Sequence, residues 1–255
     1  MGNYINKGND GFASLCNSKF VDKSMLIAEV NSAMMTENRF LCVTRARRFG
    51  KSVAVKMLNA YYDKSCDSQN LFQGLAISKD EDFEKHLNRY PVLYLDMTDF
   101  VTKYGNDEQL VEHIKRDICE ELLELYKGVV MKPNDDLMDL LVSIVNQTGE
   151  KFVCLIDEWD ALCREGQEKQ MDEYVNLLRR LFKGSMSEYV FACSYMTGIL
   201  PIKKYGEHSA INVFYEYSMT DASPIEEFTG FTEQEVRRLC EQYQMPFTET
   251  KKWYD

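Results

Sequence analysis

The sequence lacks the features of a membrane-spanning or secreted protein. Its longest apolar runs fall far short of the roughly 20 residues that a helix needs to cross a bilayer. The amino-terminal segment has no apolar stretch like that of a signal peptide. None of the eight cysteines forms a Cys-x-x-Cys pair, and several lie inside apolar runs, so we interpret them as buried thiols in a reducing compartment. We therefore predict a cytoplasmic protein with no membrane partner.

Histidines and basic residues are also scarce. The chain of 255 residues has three histidines, and none is spaced with cysteines or carboxylates like a metal ligand. Lys and Arg number 30 against 41 Asp and Glu, which gives a net charge of −11. A surface of this sign repels DNA and anionic membranes as a whole, although it is compatible with one local basic site. General coating of nucleic acid is therefore excluded.

Short apolar runs alternate with helical stripes along the chain. The apolar runs predict strands at residues 40–44, 92–95, 152–156, 189–196 and, by alternation, 212–219. Apolar positions at helical spacing predict helices near residues 53–61, 110–125, 137–145 and 171–182. This alternation predicts an α/β fold, with a mostly parallel five-stranded sheet and helices on both of its faces.

The last part of the chain departs from this alternation. Residues 232–235 form a capping box that predicts the start of another helix. We therefore divide the chain into a P-loop ATPase-like core at residues 1–222 and the start of a C-terminal helical lid or linker at residues 223–255. Trp253 and Tyr254 have little chain left to pack against. We interpret them as a sign of truncation or as a partner surface.

A basic segment lies between the first strand and the following helix, and it ends in Gly50-Lys51-Ser52. In a P-loop, backbone amides and the lysine bind the β- and γ-phosphates, and the hydroxyl binds Mg²⁺. The first glycine of the motif is replaced by Arg45, and a solvated basic loop is the alternative interpretation. The predicted nucleotide-binding residues are Arg45, Arg47, Arg48, Phe49, Gly50, Lys51, Ser52 and Val53.

The third predicted strand leads directly into Asp157 and Glu158, as in a Walker B motif. There the aspartate holds Mg²⁺, here together with Ser52, and a following glutamate deprotonates the attacking water. Ligands of open α/β sheets bind at the carboxyl ends of the strands, so we expect both motifs at one edge, on neighbouring strands. An acidic turn after a core strand is the alternative, but two half-motifs in this order favour a phosphate site.

Polar residues follow other predicted strands as well. Thr197 ends the fourth strand, where its hydroxyl would contact the γ-phosphate or the attacking water. The sequence is equally compatible with a threonine that only ends the strand before a glycine turn. Two acidic residues, Asp96 and Asp99, follow the second strand and would add further contacts at the site. Two lysines, Lys203 and Lys204, follow the fourth strand and would add charge for the transition state. We favour solvated surface positions for all four. The predicted catalytic residues are Lys51, Glu158 and Thr197.

The nucleotide is predicted by elimination. A strand at residues 92–95 lies between the two motifs in the sequence, and a glutamate follows the Walker B aspartate; both features are typical of the ATPase branch of P-loop proteins. The GTPase pattern Asn-Lys-x-Asp is absent, because the nearest string, at residues 6–9, ends in Asn and precedes the loop. We therefore predict ATP and Mg²⁺ as the ligands.

Together these segments resemble the AAA-ATPase-like family of predicted bacterial and archaeal ATPases. The segments that carry the resemblance are residues 20–24, 44–52, 71–75, 155–160, 197–198 and 230–233. The resemblance implies that an arginine in place of the first loop glycine is a family feature. It also implies a PD-(D/E)XK nuclease-like domain or protein as a partner, because relatives commonly continue into such a domain.

The residues leave several functions open. We favour hydrolysis of ATP with Mg²⁺ in a regulatory or motor module. An ATP-gated binding switch with negligible turnover is the first alternative, and the missing loop glycine favours it. A nucleic-acid-associated module of a nuclease-like system, with the loop arginines on phosphodiesters, is disfavoured by the net charge. A P-loop kinase is the weakest alternative, because no acceptor-binding feature is visible.

Overall fold

A computed structural model describes residues 2–166, 168–202, 212–221 and 223–252. At its centre is a five-stranded sheet in which every strand pairing is parallel. The strands are β1 Phe40–Thr44, β2 Val92–Asp96, β3 Phe152–Asp157, β4 Phe191–Gly198 and β5 Tyr215–Tyr217. Across the sheet their order is β2-β3-β4-β1-β5.

Helices connect the strands and follow the sheet. In chain order they are α1 Asp10–Cys16, α2 Leu26–Ala33, α3 Lys51–Tyr62, α4 Gln69–Phe72, α5 Phe83–His86, α6 Met97–Tyr104, α7 Leu110–Leu125, α8 Leu137–Thr148, α9 Ala161–Arg164, α10 Glu168–Phe182, α11 Ser185–Val190, α12 Glu233–Gln242 and α13 Phe247–Lys251. Within the described residues, none of these helices combines the length and the apolar character that crossing a membrane requires.

Alternate residues of each strand face opposite sides of the sheet. In β1, Phe40 and Cys42 join one buried cluster, whereas Leu41 and Val43 join another. Residues of α6, α7, α8 and α10 complete the first cluster, and residues of α1, α2 and α3 complete the second. Burial on both faces explains why β1, β2 and β3 are apolar up to their last residues, and it confirms the predicted α/β fold.

The strands agree with the predicted ones except at their ends. The segments at residues 40–44, 92–95 and 152–156 form β1, β2 and β3. Ser185–Val190 form helix α11, so β4 starts two residues later than predicted. It then continues through Gly198, because this residue pairs with Thr44 of β1. β5 is shorter than predicted, since the chain turns between Ser218 and Asp221.

β4 separates the strands that carry the two sequence motifs. We expected the acidic pair on a strand next to the phosphate loop, and this expectation was wrong, because β1 pairs with β4 and β5 but not with β3. The chain leaves β3, passes through α9, α10 and α11, and returns as β4 between β3 and β1. This places Thr197 of β4 between the two motifs.

The C-terminal segment is attached to the body of the protein. α12 begins at the predicted capping box, in which Thr232 and Glu235 each accept a hydrogen bond from the other's backbone amide. The same Glu235 carboxylate lies 2.7 Å from the ammonium of Lys23, before α2. The division of the chain at residue 222 stays a prediction, and Trp253 and Tyr254 lie outside the described residues.

Candidate functional site

The loop between β1 and α3 turns sharply at its end rather than at its start. Arg48 and Gly50 have positive φ angles of 71° and 79°, and Gly50 is the residue that precedes α3. Arg45, at the position of the first motif glycine, is not among the residues with positive φ. An arginine is therefore compatible with the backbone at this position.

Lys51 is the first residue of α3, and it is 4% exposed. Its ammonium donates a hydrogen bond to the Ala46 carbonyl at 3.1 Å and lies 3.7 Å from Oε1 of Glu158. A buried ammonium needs such partners, because removing a charge from water costs free energy. The structure therefore brings the lysine of the basic loop to the glutamate that follows β3.

The amino terminus of α3 has no side-chain cap. The amide of Ala54 is bonded to the Gly50 carbonyl, whereas the amides before Ala54 have no acceptor within the helix because of helix geometry. Ser52 and Val53 lie in this first turn with partly exposed side chains. Free amides and the helix dipole favour an anion at such a terminus.

The end of β3 is held by β4. Asp157 is 1% exposed and accepts a hydrogen bond from the buried Thr197 hydroxyl at 2.6 Å. The Glu158 amide donates to the same hydroxyl oxygen at 3.4 Å. Glu158 has a positive φ of 52°, which ends the strand and lets its side chain approach Lys51. Thr197 therefore fixes both acidic residues, a contact that sequence reasoning did not predict.

Sequence reasoning missed two residues beside Glu158. Arg164, the last residue of α9, forms an ion pair with the Glu158 carboxylate, and its Nε lies 3.4 Å from the Asp160 carboxylate. Asp160 is fully buried and accepts hydrogen bonds from the amides of Ile199 and Leu200. The signal in the sequence was the i,i+4 spacing of Asp160 and Arg164, which suits an ion pair on a helix.

The loop arginines differ in their surroundings. Arg45 is buried, and its guanidinium donates to the Thr229 hydroxyl at 2.9 Å and to the Tyr217 carbonyl at 2.8 Å. Arg47 and Arg48 are exposed. Nucleotide binding by all three stays a prediction. Nε and Nη1 of Arg45 are bonded to β5, the end of β1 and the C-terminal segment, whereas Nη2 is buried without a hydrogen-bond partner among the described residues. Lys203 and Lys204 lie outside the described residues.

Phe49 links the other end of the loop to the same C-terminal segment. Its carbonyl accepts a hydrogen bond from the Gly230 amide at 3.0 Å. A Cβ atom added to Gly230 would lie 2.9 Å from Cδ1 of the Phe49 ring. Thr229 and Gly230 therefore contact both ends of the loop, through Arg45 and Phe49.

We expect Gly230→Ala to destabilise the protein more than Gly74→Ala. Both glycines have positive φ, so each substitution carries backbone strain of about 1–2 kcal/mol. Only Gly230 adds a clash with Phe49, because no atom lies within 4 Å of a Cβ on Gly74. Urea unfolding of the two variants measures the difference. Equal losses of unfolding free energy would show that Gly230 is not packed on Phe49.

Asp96 adds a second carboxylate beside Asp157. The two residues pair at the ends of β2 and β3. The Asp96 carboxylate also caps α6, where it accepts the amides of Thr98 and Asp99. Burial raises the pKa of Asp96, and the charges of Asp157 and Asp99 raise this pKa further. This edge of the sheet therefore carries negative charge that a cation would offset.

We expect Asp96→Asn to stabilise the protein near neutral pH. Because folding raises the pKa of Asp96, its ionised form destabilises the folded state. This cost is absent below the unfolded-state pKa of about 3.9 and fully present above the folded-state pKa. Asparagine keeps the helix cap. Urea unfolding should therefore give a more stable variant at about pH 7 and no advantage at about pH 3. An equal advantage at both pH values would contradict this account.

Comparisons with known proteins place the chain in a family. The family described as predicted AAA-ATPase matches residues 8–206, which include both motifs. The crystal structure of a DNA replication initiation factor is similar over 94% of this chain, with 12% identity and a TM-score of 0.43. The similar region is 57% of that protein's length. None of the curated proteins gives a significant match. The chain therefore belongs to the predicted AAA-ATPase family.

Proposed function

We propose that this protein binds ATP with Mg²⁺ at the carboxyl edge of its sheet and hydrolyses it to ADP and phosphate. The observation that carries the proposal is the distance of 3.7 Å between Nζ of Lys51 and Oε1 of Glu158. ATP hydrolysis needs a cation on the phosphates and a base on the attacking water. Lys51 would supply the cation and Glu158 the base, and the two side chains lie next to each other.

Phosphate binding rests on the loop and the start of α3. The uncapped amides of the first turn, with Lys51 beside them, form an anion site of the kind that P-loops use. The ammonium of Lys51 would exchange the Ala46 carbonyl and the Glu158 carboxylate for phosphate oxygens. Arg47 and Arg48 are exposed on the same loop and add positive charge.

Ser52 and Asp157 would hold Mg²⁺, which neutralises phosphate charge when it is bound. The residues fit this ion, because a hydroxyl and a carboxylate are the hard oxygen ligands that it prefers. The buried Asp157 pairs in register with Asp96, whose pKa is raised by burial first and then by the charges of Asp157 and Asp99. A cation at this edge would offset that charge.

Glu158 is the proposed base. Its carboxylate would take a proton from water while the water oxygen forms a bond to the γ-phosphorus and the bond to the ADP oxygen breaks. Thr197 would hold Asp157 and the backbone of Glu158 in place through its hydroxyl. A nuclease-like partner and nucleic-acid binding by Arg45, Arg47 and Arg48 stay predictions.

Calorimetry with ATP, with and without Mg²⁺, followed by a phosphate-release assay on the same sample, tests the proposal. We expect Mg²⁺-dependent binding and steady release of phosphate. Absence of binding would refute the nucleotide site. Tight binding without release would instead select the ATP-gated switch, for which the contacts of the loop with Thr229 and Gly230 provide a route to the C-terminal segment.

A further inference from the structure

Glu158 lies between two cations that belong to different elements. Its Oε1 faces Lys51 of α3 at 3.7 Å, and its Oε2 accepts a hydrogen bond from Nη2 of Arg164 in α9. The two carboxylate oxygens therefore have different environments. Oε1 faces the loop that would bind phosphate. Oε2 is bonded to α9, the helix that follows Glu158 in the chain.

Arg164 is itself fixed in position. Its Nε lies 3.4 Å from Oδ2 of Asp160, and its side chain is 20% exposed. Asp160 is fully buried, and it accepts the amides of Ile199 and Leu200 at 3.2 and 2.9 Å, directly after β4. A planar guanidinium that bridges two carboxylates, one of them rigid, has few orientations available. The Arg164 guanidinium is therefore a fixed anchor point for Glu158.

We propose that Arg164 is a positioning residue that anchors Oε2 of Glu158 and leaves Oε1 as the oxygen that accepts the proton. This inference rests on the proposed hydrolysis. When Lys51 turns to the phosphates, Oε1 loses its cation, whereas Oε2 keeps the guanidinium of Arg164. Oε1 then takes the proton of the attacking water, as the water oxygen bonds to phosphorus and the bond to the ADP oxygen breaks.

The proposal predicts a particular kinetic pattern. Arg164 has no contact with loop residues 45–50 or with Lys51 among the contacts of the described residues, so its loss should not change ATP affinity. A misplaced base, in contrast, slows the chemical step, and displacements of about 1 Å cost up to about 100-fold. A merely structural ion pair would lower stability and leave the kcat of the folded protein unchanged.

Arg164→Met in the full chain tests this pattern, because methionine keeps much of the side-chain length without the charge. We expect kcat for phosphate release to fall about 10- to 100-fold, with the calorimetric Kd for ATP within about twofold. Arg164→Lys should recover part of the rate, since an ammonium can still pair with Glu158. Arg180→Met is the matched control: it removes surface ion pairs with Asp136 and Asp139 and should change neither value.

A double variant separates an action through Glu158 from an independent one. In the Glu158→Gln background, Arg164→Met should cause no further loss of rate, because the group that it positions is already inactive. A second, additive loss would overturn the proposal, and so would a wild-type rate in folded Arg164→Met. If Arg164→Met does not fold, Arg164→Lys replaces it as the test: a lowered kcat with an unchanged Kd for ATP would support the proposal, and a wild-type kcat would overturn it. A wild-type protein that releases no phosphate would overturn the proposed hydrolysis and this role together, whereas normal turnover in Arg164→Met overturns only this role.

Discussion

Glu158→Gln is expected to lower the rate of phosphate release by at least about 100-fold, since a positioned general base contributes roughly 10²- to 10⁴-fold. Glutamine has nearly the same shape and can still accept a hydrogen bond from Arg164, but it cannot take the proton of the attacking water. ATP binding should be retained and slightly strengthened, because Lys51 no longer faces a competing carboxylate. Single-turnover phosphate release and calorimetry measure the two effects separately.

Glu165→Gln is the control for this variant. Glu165 follows α9 and is exposed, so its neutralisation removes the same charge from the same region without touching the site. It should release phosphate at the wild-type rate. Wild-type turnover in Glu158→Gln would show that another group, or water alone, accepts the proton.

Lys51→Met is expected to weaken ATP binding by roughly 10- to 100-fold, since a hydrogen bond to a charged group contributes about 1.5–3 kcal/mol. Methionine is close in length to the buried lysine stem and removes only the charge, so the loop can keep its shape. The substitution also leaves Glu158 without the cation on its Oε1 side, and this carboxylate then repels the phosphates. Calorimetry with Mg²⁺ and ATP measures the loss.

Lys56→Met is the matched control, because Lys56 lies on the same helix and is exposed. It should bind ATP with wild-type affinity. If Lys51→Met also bound ATP with wild-type affinity, the loop after β1 would not be the phosphate site.

The elements that local patterns encode could be predicted from the sequence. β1 and β3 are apolar up to their last residues because both of their faces are buried, and Gly50 and the acidic pair at the end of β3 have distinctive local signals. The start of α12 was predictable because a capping box involves residues only three positions apart. The end of β3 and the start of α3 were therefore predicted to within two residues.

Contacts between distant parts of the chain could not be predicted in this way. The position of β4 between β3 and β1 depends on how the chain crosses the sheet, which no short pattern records. Arg45 had the spacing of a phosphate ligand, but its guanidinium reaches Thr229, a partner 184 positions away. The ammonium of Lys51 likewise reaches the carboxylate of Glu158, which belongs to a different strand end.

The hydrogen bonds of Thr229 and Gly230 with the loop after β1 have a thermodynamic consequence for the proposed ATP site. A protein or domain that pulled these two residues away would change the free energy of the loop, and hence the affinity for ATP. Linkage requires the effect to be mutual, so ATP would alter the affinity for that protein or domain by the same factor. The backbone before α12 would thus couple the binding of that protein or domain to the binding of ATP.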